Sequence, residues 1–241
     1  MIICHSRKFI FVHIHKTGGT SFERALDPHL AWNDLILGGS SFGERIQQPY
    51  AKKYGLNKHS TVSEIEAICG ENLVNCYHTF SFVRDPLSRI CSLYNSVATI
   101  VHKWAGNQGI NLNEVEQRIT LRAAKKTPAL QWSSTKAFLH SASFSEFIRQ
   151  KALANAPGFR SQVSCLIGGS NGGLLKAKYF RLEDFPNWMD ELIAITGLEI
   201  SISRENQSDL RLQDAAAVND DDRSYIRYLF RDDYETFGYG S

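Results

Sequence analysis

Phe9-Ile10-Phe11-Val12-His13-Ile14-His15-Lys16-Thr17-Gly18-Gly19-Thr20-Ser21-Phe22 reads as a buried strand running into a glycine turn that opens a helix. Such a turn is an anion cradle. Two glycines let the backbone approach a ligand without a Cβ in the way, and the N–H groups that begin a helix point at any negative group placed there. Lys16 adds a full positive charge, and Thr17, Thr20 and Ser21 add hydroxyl donors. A Walker loop is excluded, because it needs four residues between its first glycine and a closing Gly-Lys-Ser/Thr, whereas here the lysine precedes the glycines. Gly-Gly alone would be corner punctuation. Lysine, two threonines and a serine around it point to a phosphate or sulfate site.

A second apolar strand is followed by the same kind of corner: Phe80-Ser-Phe-Val-Arg84-Asp85-Pro86-Leu-Ser-Arg-Ile-Cys-Ser92-Leu-Tyr94. Pro86 suits a first helical turn, where its missing N–H costs nothing. Ser92 falls about two turns into that helix, on the side facing back toward the strand end. An arginine at the strand tip and a serine on the helix can hold one phosphate between them, the arginine by its planar donor fork.

Together the two segments resemble the nucleotide-binding elements of the sulfotransferase superfamily, which uses 3′-phosphoadenylyl sulfate (PAPS) as donor. The likeness is closest to carbohydrate sulfotransferases of the heparan sulfate 2-O/6-O-like, family 2 type, and to bacterial members. It implies a P-loop-like parallel sheet flanked by helices, PAPS as co-substrate with 3′,5′-adenosine bisphosphate (PAP) as product, and no metal. It also implies that Lys16, Thr17, Gly18, Gly19, Thr20 and Ser21 hold the 5′-phosphosulfate, that Arg84 and Ser92 hold the 3′-phosphate, and that Arg204, Asn206 and Ser208 close over that phosphate. The family often has proline just before the lysine, where this chain has His15. Weaker likenesses at 58–61, 179–185, 204–208 and 230–239 keep the family's order, so 1–241 is read as one sulfotransferase domain, with about 100–160 an additional α-helical lobe matching poorly.

Composition agrees with a folded enzyme. A chain of 241 residues can bury a sizeable core without metals or disulfides, and 43% hydrophobic against 22% charged residues excludes disorder. A net charge of +2 offers nucleic acid no general attraction, so any basic site is local. The five cysteines, at 4, 69, 76, 91 and 165, lack metal-ligand spacing and read as buried free thiols of a reducing compartment. No stretch reaches transmembrane length and none reads as a signal peptide, so we expect a cytoplasmic bacterial protein without stable membrane insertion, unless the chain is a trimmed form of an anchored one. No feature of the pattern speaks to oligomeric state.

Along the chain, the first helix covers about 18–26 and the polar, glycine-containing stretch 27–58 reads as a long surface connection over the acceptor. Thr61-x-x-Glu64 has capping-box spacing ahead of a helix toward Cys69, and Tyr77–Val83 is the second core strand. Helical patterns follow at 87–101, 114–126 and, behind Ser143-x-x-Glu146, 147–153. Leu175–Leu182 reads as a third strand, Trp188–Thr196 as a helix ended by Gly197, and Arg223–Phe230 as the last helix. Gly168–Gly173 and Gly38-Gly39 read as loop punctuation, and Lys125-Lys126 and Asp220–Asp222 as solvated helix ends. Strands alternating with helices, and near-continuously apolar, argue for a parallel sheet covered on both faces, with ligands beyond the strands' carboxyl ends.

Group transfer to a hydroxyl needs a base and a cation for the leaving phosphate. Lys16 is the catalytic cation and His59, just before a helix N-terminus, the base; its place resembles that of the catalytic histidine in uronyl 2-O-type sulfotransferases. His15, Glu23 and Glu44 stay open as alternative bases, and His13, inside the strand pattern, reads as structural. The acceptor is read as a sugar or glycoconjugate hydroxyl. A P-loop-like kinase and a non-catalytic nucleotide or sulfated-glycan binding module are the rival readings.

Overall fold

The computed structural model describes residues 1–112, 127–169, 175–202 and 210–240. The chain divides into two compact units. One comprises Met1–Asp85, Ser161–Asn206 and Asp232–Ser241, the other Pro86–Arg160 and Gln207–Arg231.

The first unit is built on five strands: β1 (Ile2–Cys4), β2 (Phe9–Val12), β3 (Leu35–Ile36), β4 (His78–Val83) and β5 (Lys178–Arg181). They lie in the order β3-β1-β2-β4-β5. β2, β4 and β5 run parallel, whereas β1 is antiparallel to both of its neighbours. The expected all-parallel sheet is therefore corrected to a mostly parallel one. Strand alternation explains why both faces are apolar. Ile2, Cys4, Phe9, Phe11, Phe80 and Phe82 join one buried cluster, with Phe22 and Leu26 of α1 (Gly19–Leu26) and Trp188 and Leu192 against them. Ile3, Ile10 and Val12 point the other way, into a cluster with Val62 and Ile65 of a helix and Phe237 near the C-terminus.

Several sequence expectations are revised. The stretch 27–58 is no simple loop, because it adds β3 to the sheet edge and carries α2 (Ser41–Tyr54), 14 residues capped by Ser40, whose hydroxyl accepts from the Gly43 amide, and closed by Gly55 at φ 74. Pro49 inside α2 and its polar face hid the helix. The Thr61–Glu64 box does form, opening α3 (Val62–Cys69), and a short α4 (Glu71–Cys76) follows before β4. β5 is shorter than read, with Leu175 only in an isolated bridge to Ile167. Gly197 ends the helix Met189–Thr196 at φ 66, as expected.

In the second unit, α5 (Pro86–Asn107) runs 22 residues and buries Arg89 completely. The guanidinium donates to the Gly158 and Arg160 carbonyls at 3.1 and 2.8 Å and lies over Phe230. Tyr94 packs against Phe138, Phe144 and Phe147. Behind Ser143 the helix spans Phe144–Ile148, earlier than read, and Asp220–Leu229 begins three residues before the expected last helix, which Arg231–Phe237 then follows. Asp222 is not a solvated helix end: it is buried between Ser145, Arg149 and Asn219. Nor are all cysteines buried, since Cys76 is exposed and Cys69 half-buried. The 114–126 pattern, Lys125-Lys126 and Ser170–Gly173 lie outside the described residues. No described helix is long and apolar enough to cross a membrane.

Candidate active site

Parallel pairing of β2 with β4, Val12 against Ser81, brings the carboxyl ends of both strands side by side in the first unit. The Ser81 hydroxyl donates to the Val12 carbonyl at 2.6 Å and pins that register. From these ends the two corners of interest emerge.

After β2 the chain makes a tight turn. Lys16 adopts φ 67 and Gly18, the N-cap of α1, φ 83, so two left-handed residues bracket Thr17. Gly18 is exposed, and a Cβ there would meet Leu182 Cδ1 at 3.2 Å. At Gly19 a Cβ would sit 2.5 Å from His13 Cδ2, so the closeness of the imidazole requires glycine at this position. The loop therefore presents bare backbone at the start of a helix, which fits an anionic group. Of the three predicted hydroxyls, Thr17's is turned inward, donating to the Ile14 carbonyl at 2.9 Å from a fully buried side chain. That corrects the hydroxyl-donor reading of Thr17, whose remaining donor is its amide. Thr20 stays half-exposed and Ser21 is buried.

Arg84 follows β4 directly and its Nη1 donates to the Lys16 carbonyl at 3.4 Å. Burial, and then the neighbouring Arg84 charge, lower the Lys16 ammonium from 10.5 to about 8. Two cations held beside bare loop amides have the chemistry to receive a polyanion.

His59 stands against the same loop. Its ring stacks on His15, with centroids 3.4 Å apart, and meets His13 edge-on at 4.7 Å. His59 Nδ1 lies 2.8 Å from the His13 carbonyl oxygen. A carbonyl can only accept, so Nδ1 carries the proton and Nε2 keeps its lone pair. Burial and the adjacent His15 and His13 hold the imidazole well below its ordinary 6.5. The side chain is thus a neutral imidazole of fixed tautomer at neutral pH, which is the state a proton acceptor needs. The backbone before α3 fixes it further, with the His59 amide donating to Asn57 Oδ1 at 2.8 Å.

Beneath lies a buried ionic cluster. Glu23 Oε1 is 2.6 Å from the Met1 amine and 2.8 Å from His13 Nδ1, and its Oε2 is 3.6 Å from Lys58 Nζ. Burial alone would raise the carboxyl, but His13, the Met1 amine and Lys58 outweigh it and hold Glu23 at about 2. Burial also lowers the His13 imidazole, against the pull of Glu23. Both residues support the loop from behind, as expected for His13. Gly39 packs on Glu23, where a Cβ would lie 2.5 Å from its Oε2. Glu44, on α2, is ion-paired with Lys58 at 3.4 Å. An open cleft of about 990 Å³ adjoins the loop, lined among others by Thr20, Arg24, Glu44, Arg45 and Lys58.

The predicted residues thus divide. Lys16 to Ser21, Arg84 and His59 gather at one end of the sheet of the first unit; Ser92 lies half-buried on α5 in the second unit; Arg204 and Ser208 lie outside the described residues. Among the described residues no group of three or more His, Cys, Asp or Glu side chains is placed to hold a metal. Sequence reasoning missed the side chains that fix Arg84 from behind. Gln162 Oε1 accepts from the Arg84 amide at 2.9 Å and its Nε2 donates to the Arg84 carbonyl at 2.8 Å.

A family model described as the sulfotransferase family matches residues 1–240. No curated protein matches the chain, and no solved structure does.

Proposed function

The chain belongs to the sulfotransferase family, and on that premise we propose that it moves the sulfuryl group of PAPS to a hydroxyl of an acceptor, a sugar or glycoconjugate. PAPS supplies an activated sulfuryl group on a phosphate leaving group. Lys16 with the amides of Thr17 to Ser21 holds the 5′-phosphosulfate and offsets the charge that grows on the departing phosphate. Arg84 and Ser92 bind the 3′-phosphate, and Arg204 and Ser208 cover it. His59 takes the acceptor proton on Nε2. The whole of 1–241 acts as one sulfotransferase domain, and the cleft beside Thr20 and Lys58 receives the acceptor.

The observation that carries this reading is the convergence of two sequence-distant cations on one loop: Arg84 Nη1 donates to the carbonyl of Lys16, 68 residues away, beside amides that no Cβ covers. A neutral His59 of fixed tautomer against the same loop supplies the base. Incubation with ³⁵S-labelled PAPS and a panel of hydroxyl compounds, including oligosaccharides, phenols and small alcohols, tests it. Label on an oligosaccharide with release of PAP supports the reading. Label on phenols or small alcohols alone overturns the acceptor class, and release of PAP with no acceptor labelled in any class overturns the transfer.

A further inference from the structure

The Arg84 peptide lies one residue past the end of β4, beyond the last pair of the β4–β5 ladder, Val83 with Arg181. Past that pair, a further strand residue would ordinarily meet its N–H and C=O. A single side chain replaces one. Gln162 is fully buried, and its amide meets both groups of Arg84, accepting at 2.9 Å and donating at 2.8 Å, as a neighbouring strand's peptide would. The second Nε2 hydrogen points to Asp233 Oδ2 at 3.3 Å, so the partners on all sides define which end of the amide is oxygen.

Asp233 is fully buried as well. Its carboxylate accepts from Ser161 Oγ at 2.6 Å and from the Gln162 and Val163 amides, both at 2.9 Å. It thereby caps the start of the helix Gln162–Leu166 and fixes the residue that reaches Arg84. The next peptide is held too, since the Asp85 amide donates to Glu183 Oε1 at 2.9 Å and Tyr239 donates to Glu183 Oε2 at the same distance. An apolar side chain would fill the volume of Gln162 at no desolvation cost but would remove the partner that meets the part-buried N–H and C=O of Arg84. Two buried polar residues in series, from the C-terminal helix to the arginine backbone, fix the direction in which the guanidinium leaves the strand.

The geometry points to Gln162, backed by Asp233, as the positioning residue of the nucleotide site: it sets the Arg84 guanidinium for the 3′-phosphate and so determines selectivity for a 3′-phosphorylated nucleotide. This inference rests on the assignment of Arg84 to the 3′-phosphate. A donor fork binds a phosphate well only within a narrow range of placement, so loosening its backbone costs the charge-assisted contact more than it costs the rest of the nucleotide.

The test is titration calorimetry of wild type and Gln162→Met, each with PAP and with 5′-AMP. Methionine keeps the volume and removes both hydrogen bonds. Wild type should prefer PAP by at least about tenfold, and Gln162→Met should bring that ratio to within about threefold of unity while 5′-AMP affinity changes little. Where Gln162→Met fails to fold, Asp233→Asn, of equal size, is read by the same titrations and should also lower the ratio. A preserved ratio, or equal loss of both affinities, overturns the inference and leaves the donor assignment standing. Absence of any preference in wild type overturns the donor assignment itself, and the inference with it.

Discussion

Arg84 Nη1 donates to the backbone carbonyl of Lys16 at 3.4 Å, across 68 residues of sequence. The accepting residue, Lys16, holds φ 67, a left-handed conformation that costs a side-chain-bearing residue on the order of 1 kcal/mol or more. Strain in the loop, a lowered lysine and an adjacent guanidinium belong together: an anion bound at this point would relieve the mutual repulsion of two cations that the fold holds side by side.

Lys16 should matter more to turnover than to donor affinity, because charge on the leaving phosphate grows in the transition state. Lys16→Ala should lower kcat by about two to three orders of magnitude, a loss of a few kcal/mol, with a smaller change in PAPS affinity. Only the protonated amine serves, and it titrates at about 8 in the free protein. kcat/KM should therefore fall as pH rises through about 8, and Lys16→Arg should move that limb to higher pH. A limb left at 8 in Lys16→Arg would assign it to another group.

His59 acts as a base only when neutral, and its surroundings hold it well below 6.5. Activity should be lost as pH falls, at a value below the ordinary histidine range. His59→Ala should bind PAP normally while turnover drops by about two to four orders of magnitude. Equal loss of binding and turnover in calorimetry and initial-rate measurements would make the residue structural.

Glu23 should behave as a stability residue. Its pKa is depressed from 4.5 to about 2, so its contribution is fully present above 4.5 and lost as pH falls from there toward 2. That shift corresponds to on the order of 3 kcal/mol. In urea unfolding, Glu23→Gln should be less stable at pH 7 and should lose less on acidification than wild type. At a temperature where it is folded it should retain turnover. Loss of turnover in the folded variant would restore Glu23 as a candidate base.

Two glycines separate close packing from simple permissiveness. Gly19→Ala drives a methyl into the His13 imidazole and should destabilise by about 1–3 kcal/mol. Gly106, within α5, has nothing within 4 Å of a Cβ, and Gly106→Ala should stabilise by about 0.5–1 kcal/mol. Opposite signs in thermal unfolding are expected; equal effects would contradict the His13 contact.

What was legible in the sequence was what a strong local signal marks. The apolar runs into Gly18-Gly19 and into Pro86, the Thr61–Glu64 box and the Gly197 stop all emerge as written, because each is decided by neighbours in sequence. Strand β1 went unread because three residues carry no periodicity and its place is set by pairing with Phe9–Phe11 on one side and β3 on the other. Within the candidate site, Lys16 and Arg84 could be named from their corners and His59 from a resemblance, but Gln162 and Asp233 could not. Gln162 sits 78 residues from its partner Arg84, and nothing around it distinguishes a polar residue that will be buried. Ser161, one residue before the helix that Gln162 opens, was the one available hint, a capping signal for a helix too brief to stand out.

The donor assignment is the centre of the account, and the affinity of the wild-type protein for PAP against 5′-AMP tests it most directly. A guanidinium on a phosphate contributes about 1.5 to 3 kcal/mol, so PAP should bind at least roughly tenfold more tightly, and Arg84→Ala should erase most of that difference while weakening 5′-AMP little. Equal affinity of the wild-type protein for the two nucleotides would contradict the assignment of PAPS as donor, and with it the proposed reaction.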